Sequence, residues 1–220
     1  MKNNKSKRIA SYIVMPLLFI ILGFIVLFIS GKPVAAMIEA YGNMIITKGA
    51  PGYGNEYDPE LSKLVMNKKS TFHTNQIQVP ALETHYANLY CERVELDAPV
   101  YYGDSDTVLS YGVGQYAASG LPGEGKPILI GGHDATYFAP LEHINIGDIV
   151  TIETNYGQFE YKVAATRIAD ALETDSYDLS QAKEQLILYT CYPFNQLLGD
   201  SSDRFFVYCD RILDSETVSE

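Results

Sequence analysis

Apolar and polar residues follow three different rhythms along this 220-residue chain. The first is a run from Ile9 to Ser30, 22 residues without a charge. At 1.5 Å per residue a helix there spans ~33 Å, enough for a hydrocarbon core of ~30 Å. Pro16 and Gly23 inside it are compatible with a membrane helix. A secretory signal peptide also begins basic and then apolar, but its apolar part covers only about 7–15 residues. The longer run predicts an uncleaved anchor, with cleavage near Ala35-Ala36 as the alternative. The second rhythm, over 31–85, is mixed. Residues 33–46 suit a short helix, and Lys48 to Asn55 is dense in turn formers. Residues 58–66 suit a helical turn, with Asp58 as cap and Pro59 at its first position. This stretch reads as a spacer. The third rhythm begins near Tyr86, as short β-type runs at 89–96, 99–102, 128–132, 149–153, 158–168, 186–190 and 205–212. Asn155-Tyr156-Gly157 reads as a tight hairpin, and 108–118 and 180–185 as short helices. So many short strands in one domain predict a closed or nearly closed barrel, hence a mainly β fold behind one transmembrane helix.

Composition refines this picture. The chain is 47% hydrophobic and 20% charged, which excludes overall disorder. Its 17 Tyr and absent Trp agree with β structure. Against 27 acidic residues stand 16 basic ones, a net charge of −11, which excludes a broad nucleic-acid surface. Four of the cations, Lys2, Lys5, Lys7 and Arg8, precede the apolar run. By the positive-inside rule they stay in the cytoplasm and everything after Ser30 lies outside. That outer part carries the remaining 12 cations against 27 anions, a net of −15, read as a solvated surface. The expected organisation is a cytoplasmic basic tail (1–8), a transmembrane anchor (9–30), a stalk (31–85), a β-barrel (86–214) and a short tail (215–220).

Several motifs bear on chemistry. Gly120-Leu121-Pro122-Gly123-Glu124-Gly125-Lys126 is nearly a phosphate-binding loop, but Pro127 stands where that loop needs Ser or Thr. A strand follows it rather than a helix, so the glycines read as a turn. Cys91, His133, His143, Cys191 and Cys209 contain no close metal-ligand spacing, and His73 and His85 read as surface histidines. A different trio stands out. His133 follows the run 128–132, and Cys191 follows the run 186–190. If those strands are parallel neighbours, both residues emerge at one sheet end. An antiparallel return through the next strand brings Arg204 to the same end. A free thiol has a pKa of ~8.5 and is only a few per cent thiolate at neutral pH, and a nearby cation favours the thiolate. An imidazole can give a proton to a leaving amine and take one from an incoming amine. A guanidinium offers fixed donors to an oxyanion, where one donor is worth ~2.7–4 kcal/mol. Cys91 and Cys209 can pair in an oxidising compartment. Alternation places Cys91 with Arg93 and Glu95, and Cys209 with Phe205 and Val207. The expectation is therefore a buried Cys209, a partly exposed Cys91 and no bond between them.

Taken together the motifs resemble the sortase family. The resemblance runs from about Leu89 to Leu213 and rests on Leu121-Pro122-Gly123-Glu124-Gly125, Ile130-Gly131-Gly132-His133-Asp134, Ile146-Gly147-Asp148 with Asn155-Tyr156-Gly157, Leu188-Tyr189-Thr190-Cys191 and Arg204-Phe205-Phe206-Val207-Tyr208. Ile187 replaces the first Thr of the family pattern Thr-Leu-x-Thr-Cys, and Cys191-Tyr192-Pro193-Phe194 looks most like class D sortases. The resemblance implies an eight-stranded β-barrel cysteine transpeptidase on the outer face of a Gram-positive-type membrane. It implies His133, Cys191 and Arg204 as catalytic residues and Thr190 as an aid to positioning substrate. Its partners would be an LPxTG-like sorting signal cut after Thr and a cell-wall precursor amine, with no nucleic acid. It calls for no cofactor, and no carboxylate cluster matches the calcium sites of some family members. Two other readings stay open: a cysteine hydrolase that passes the acyl group to water, and a non-catalytic barrel that binds an envelope partner.

Overall fold

The computed structural model describes residues 14–26, 77–173, 175–194 and 201–213. The chain divides into two units, Met1–Glu39 and Ala40–Glu220. In the first, residues 14–26 form an uncharged helix, α1, whose residues are all exposed. Among the described residues no helix is long and apolar enough to cross a membrane. The rest of the expected anchor 9–30 lies outside them, as do 31–76 with His73, the tail 1–8 and residues 214–220.

The second unit holds eight strands: β1 (His85–Cys91), β2 (Leu96–Tyr102), β3 (Val113–Gln115), β4 (Ile128–Gly131), β5 (Ile149–Thr154), β6 (Gly157–Asp170), β7 (Gln185–Tyr192) and β8 (Asp203–Arg211). They close into a barrel in the order β1-β2-β3-β4-β7-β8-β6-β5, with β5 returning to β1 through Leu89↔Ile152. Every strand is thus paired on both sides over part of its length. The inward faces of alternate residues fill the interior, among them Leu89, Ile130, Ile152, Phe159, Tyr161, Leu188 and Val207. β6 shows the cause plainly: from Gly157 to Val163 every second residue is buried. A register shift between Val163 and Ala165 then ends that pattern, and the remaining length of β6 pairs with β8 alone. A smaller apolar cluster, Leu129, Ala169, Ile187 and Phe206, lies on the outer face of the sheet. Leu179 and Tyr189 pack on it, and Tyr208 donates to the Ser176 carbonyl at 2.5 Å. The connection from β6 to β7 is thus pinned over the outside of β8.

Several expected elements differ. The run 89–96 is not one strand. A 3-10 turn at Glu92–Val94, closed by Glu95 in the left-handed region (φ 56°), makes a corner between β1 and β2. Alternation therefore stops at Cys91, which shares its face with Leu89 and Ala87 instead of Arg93. Both Cys91 and Cys209 are buried in the core and free, which corrects the expected exposure of Cys91. The expected helix 108–118 is a short helix, α2 (Asp106–Tyr111), capped by Ser105, whose hydroxyl accepts from the Val108 amide at 3.3 Å. Gly112 ends it and β3 takes the following residues. The expected helix 180–185 is absent: Asp178 accepts from the Ser180 amide at 2.9 Å and its hydroxyl at 2.6 Å, a local turn that competes with helix. The hairpin at Asn155-Tyr156 forms as expected, between Thr154 and its partner Gly157. His85 is half-buried, stacked on Tyr101 and bonded to Asn88 at 2.9 Å, rather than a bare surface histidine.

The glycine-rich segment 120–126 is a turn that feeds β4, and its amides do hold an anion, but an internal one. Gly123 and Gly125 donate their amides to the Glu184 carboxylate at 3.1 and 3.0 Å. Both glycines have positive φ, 87° and 79°, which an L side chain resists. Tyr161 and Arg211 donate to the same carboxylate at 2.6 and 2.5 Å, and the Arg211 guanidinium lies 4.6 Å above the Phe159 ring.

Candidate active site

Three strands bring the predicted trio to one end of the barrel. β4 and β7 are parallel neighbours, paired from Ile128↔Leu186 to Gly131↔Tyr189. His133 stands two residues beyond Gly131, just past the end of β4, and Cys191 two beyond Tyr189, so both lie at the same end of the paired strands. β8 lies antiparallel on the other side of β7, where Cys191 is the direct partner of Arg204. Directly opposed residues of an antiparallel pair have Cβ atoms ~4.5–5.5 Å apart. Alternation fixes the face. Ile187 and Tyr189 of β7 and Phe206 and Tyr208 of β8 belong to the outer cluster, so Cys191 and Arg204 also face outward. His133 is exposed, and Cys191 and Arg204 are half-buried.

Each group is held locally. One guanidinium nitrogen of Arg204 donates to the carbonyls of Ser201 and Asp203, at 2.7 and 2.9 Å, which orients the fork. Beyond Cys191, Phe194 packs edge-on against Phe205 at 5.3 Å and fixes the exit of β7. The chain before His133 depends on two glycines. A Cβ on Gly131 would stand 2.6 Å from the Tyr189 ring, and one on Gly132 2.8 Å from the Phe138 ring and 2.9 Å from Val113. After it, the amides of Thr136 and Phe138 donate to the His133 carbonyl at 3.3 and 3.2 Å and curl the loop back.

Electrostatics around the thiol are mixed. Burial pushes the Cys191 thiol up, the Arg204 guanidinium pulls it back down, and the Asp134 carboxylate raises it again. Burial wins, so at neutral pH the thiol is mainly protonated and the thiolate is a minor form that Arg204 favours. Tyr189 beneath it is pushed up to about 12, chiefly by burial. The influence of Asp134 was not part of the expectation from sequence, although its place next to His133 was a signal for it. Thr190 lies on the opposite face of β7 from Cys191. Its side chain is on the inner face, the residue is 1% exposed, and its hydroxyl donates to the Gly132 carbonyl at 2.7 Å. The Thr190 hydroxyl is thus engaged inside the barrel.

The other singled-out residues lie elsewhere. His143 ends the 3-10 turn Ala139–His143, where its carbonyl accepts from Arg93 at 2.5 Å. Cys91 and Cys209 point into the barrel. Among the described residues no group of three or more His, Cys, Asp or Glu is arranged to hold a metal ion.

A sortase-domain family model matches residues 89–212, more than half of the chain. Over 120 residues the sequence is 33% identical to Sortase D of Bacillus subtilis (strain 168), covering 54% of this chain and 60% of that protein. The chain thus spans about three fifths of the length of that curated relative. Among solved structures it is similar to a Clostridium perfringens Sortase D5 transpeptidase, with a TM-score of 0.55 and 18% identity, over 72% of this chain and 99% of that one. It is also similar to Sortase C1 of Streptococcus agalactiae, with a TM-score of 0.56 and 20% identity, over 83% of this chain and 97% of that one. At such identities the structures speak for the fold alone. With the domain match over 89–212 and the class D likeness of its relative, the chain belongs to the sortase family.

Proposed function

We propose that this protein is a membrane-anchored cysteine transpeptidase acting on an LPxTG-like sorting signal. The observation that carries the reading is the Cys191↔Arg204 rung, with His133 just past the end of the neighbouring strand β4. In the first half-reaction the Cys191 thiolate attacks the carbonyl carbon of the signal's Thr. A C–S bond forms and the oxyanion faces the Arg204 guanidinium. The C–N bond then breaks as His133 protonates the leaving amine, which leaves a thioacyl enzyme. In the second half-reaction a cell-wall precursor amine gives its proton to His133 and attacks the thioester. The new C–N bond forms and the thiolate leaves. The uncharged run 9–30 behind Lys2, Lys5, Lys7 and Arg8 supports a single-pass anchor, with a cytoplasmic N-terminus and an extracellular barrel.

The test uses the full chain in detergent, a library of sorting-signal peptides and an added amine, read by mass spectrometry. The expected result is an acyl adduct on Cys191 and an amine-bearing product, both lost in Cys191→Ala. Adduct with only hydrolysed product at saturating amine would replace transpeptidation by hydrolysis. Undiminished turnover in Cys191→Ala would overturn the reading altogether.

A further inference from the structure

We infer that Thr190 is the positioning residue for His133, acting from inside the barrel, an inference that rests on the proposed role of His133. The parallel ladder between β4 and β7 ends just before the two groups. Its last main-chain bond runs from the Gly132 amide to the Tyr189 carbonyl, at 3.2 Å. One residue later the Thr190 hydroxyl donates to the Gly132 carbonyl at 2.7 Å. That carbonyl belongs to the peptide plane joining Gly132 to His133, so fixing it fixes where the imidazole-bearing Cα starts. Thr190 is itself the residue before Cys191. One hydrogen bond therefore couples the immediate predecessors of the proposed acid–base and the proposed nucleophile.

The surroundings make the coupling stiff. Thr190 is buried on the inner face, and a β-branched side chain has restricted rotation about its first side-chain bond. Gly132 is boxed in by Phe138 and Val113, so its peptide has little room to swing. Phe138 in turn donates its amide to the His133 carbonyl, which closes a circuit around the histidine. Thr190 touches no reacting atom in this arrangement, and its effect on chemistry runs through the His133 loop.

Thr190→Val, nearly isosteric but without the donor, and Thr190→Ser, which keeps it, make the test in the full chain. Misplacing a proton-transfer group lowers kcat and spares substrate binding, so Thr190→Val is expected to lose about tenfold or more in kcat with KM within about twofold. Thr190→Ser is expected to keep kcat within about threefold of the parent. A raised KM at unchanged kcat would overturn the inference in favour of direct substrate contact, and equal kcat in all three proteins would overturn it outright. Hydrogen exchange supplies an arm that needs no substrate. The Thr136 and Phe138 amides are expected to lose protection in Thr190→Val and regain it in Thr190→Ser, and unchanged protection in both counts against the tie. If the parent protein shows no acyl transfer while exchange behaves as expected, the proposed function fails and the tie between Thr190 and the loop stands. Should Thr190→Val not melt cooperatively, Thr190→Ala takes its place with the same outcomes.

Discussion

Cys191 sits between two opposing charges, with burial as the third influence. The Arg204 guanidinium favours the thiolate, while the desolvated setting and the Asp134 carboxylate disfavour it. Iodoacetamide reads this balance cleanly, because Cys91 and Cys209 are buried and only Cys191 is within reach of solvent. The alkylation midpoint of Cys191 is expected above that of a free cysteine, ~8.5. Arg204→Ala should move it higher, with a rate at pH 7.5 lower by about three- to tenfold, and Asp134→Asn should move it lower. The reverse order of the two variants would show that neither charge acts on the sulfur as described. At this scale the sequence was informative about identity and silent about direction. The trio could be named from strand ends, because a residue following an apolar run has few places to go. That Thr190 faces inward to Gly132 depends on which face of β7 is the core, and a run as apolar as Leu186, Ile187 and Leu188 carries no alternation to reveal it.

The strands themselves were legible wherever one face meets water. Phe159, Tyr161 and Val163 alternate with Gln158, Glu160 and Lys162, and β6 follows. The corner at 92–95 was not legible, since it contains no Gly, Pro or Asn and places Glu95 in the left-handed region. β3 escaped because three residues are too few to show a period, and its neighbour Gly112 reads as part of a helix until its extended backbone is seen. The glycine-rich turn was read correctly as a turn, but its partner Glu184 lies about 60 residues away, beyond the reach of local pattern. That carboxylate is mostly buried, with Arg211, Tyr161 and two amides around it. Glu184→Ala is expected to destabilise the fold by about 3–5 kcal/mol in urea unfolding, since it strands a mostly buried cation and leaves two amides unpaired. Glu184→Gln, which keeps an acceptor but not the charge, should cost less. Equal stability of Glu184→Ala and the parent would remove this cluster from the set of structural supports.

The barrel as a whole joins its two ends through β7: Cys191 lies near the strand's C-terminal end, and Glu184 immediately precedes its first residue. Closure into a barrel was predictable from the number of short strands, whereas the strand order β4-β7-β8 was an assumption that only the fold could decide. Burial also fixes how the whole responds to pH. It pushes the thiols of Cys91 and Cys209 and the hydroxyls of Tyr86 and Tyr161 upward. These groups hold their protons more tightly folded than unfolded, so their contribution is complete below the unfolded values, ~8.5 for Cys and ~10 for Tyr, and is lost above them. Hydrogen bonds to Arg93 and Lys183 hold Asp148 and Asp210 low, which gives stability above ~4 that fades as pH falls. The melting temperature is therefore expected to be level between about pH 5 and 8 and to decline on both sides, most steeply above about pH 9. A melting temperature still rising at pH 10 would contradict the burial of these groups.

The cradle of amides at the end away from the thiol has one more consequence. Its guest is part of the same polypeptide, and a tethered ligand is present at an effective concentration in the ~mM range. A dissolved nucleotide or phosphate would have to outcompete that guest and also strip it from Tyr161 and Arg211. The chain thus plugs its own anion socket, and a stretch of letters that mimics a nucleotide grip serves as a buckle for the barrel wall.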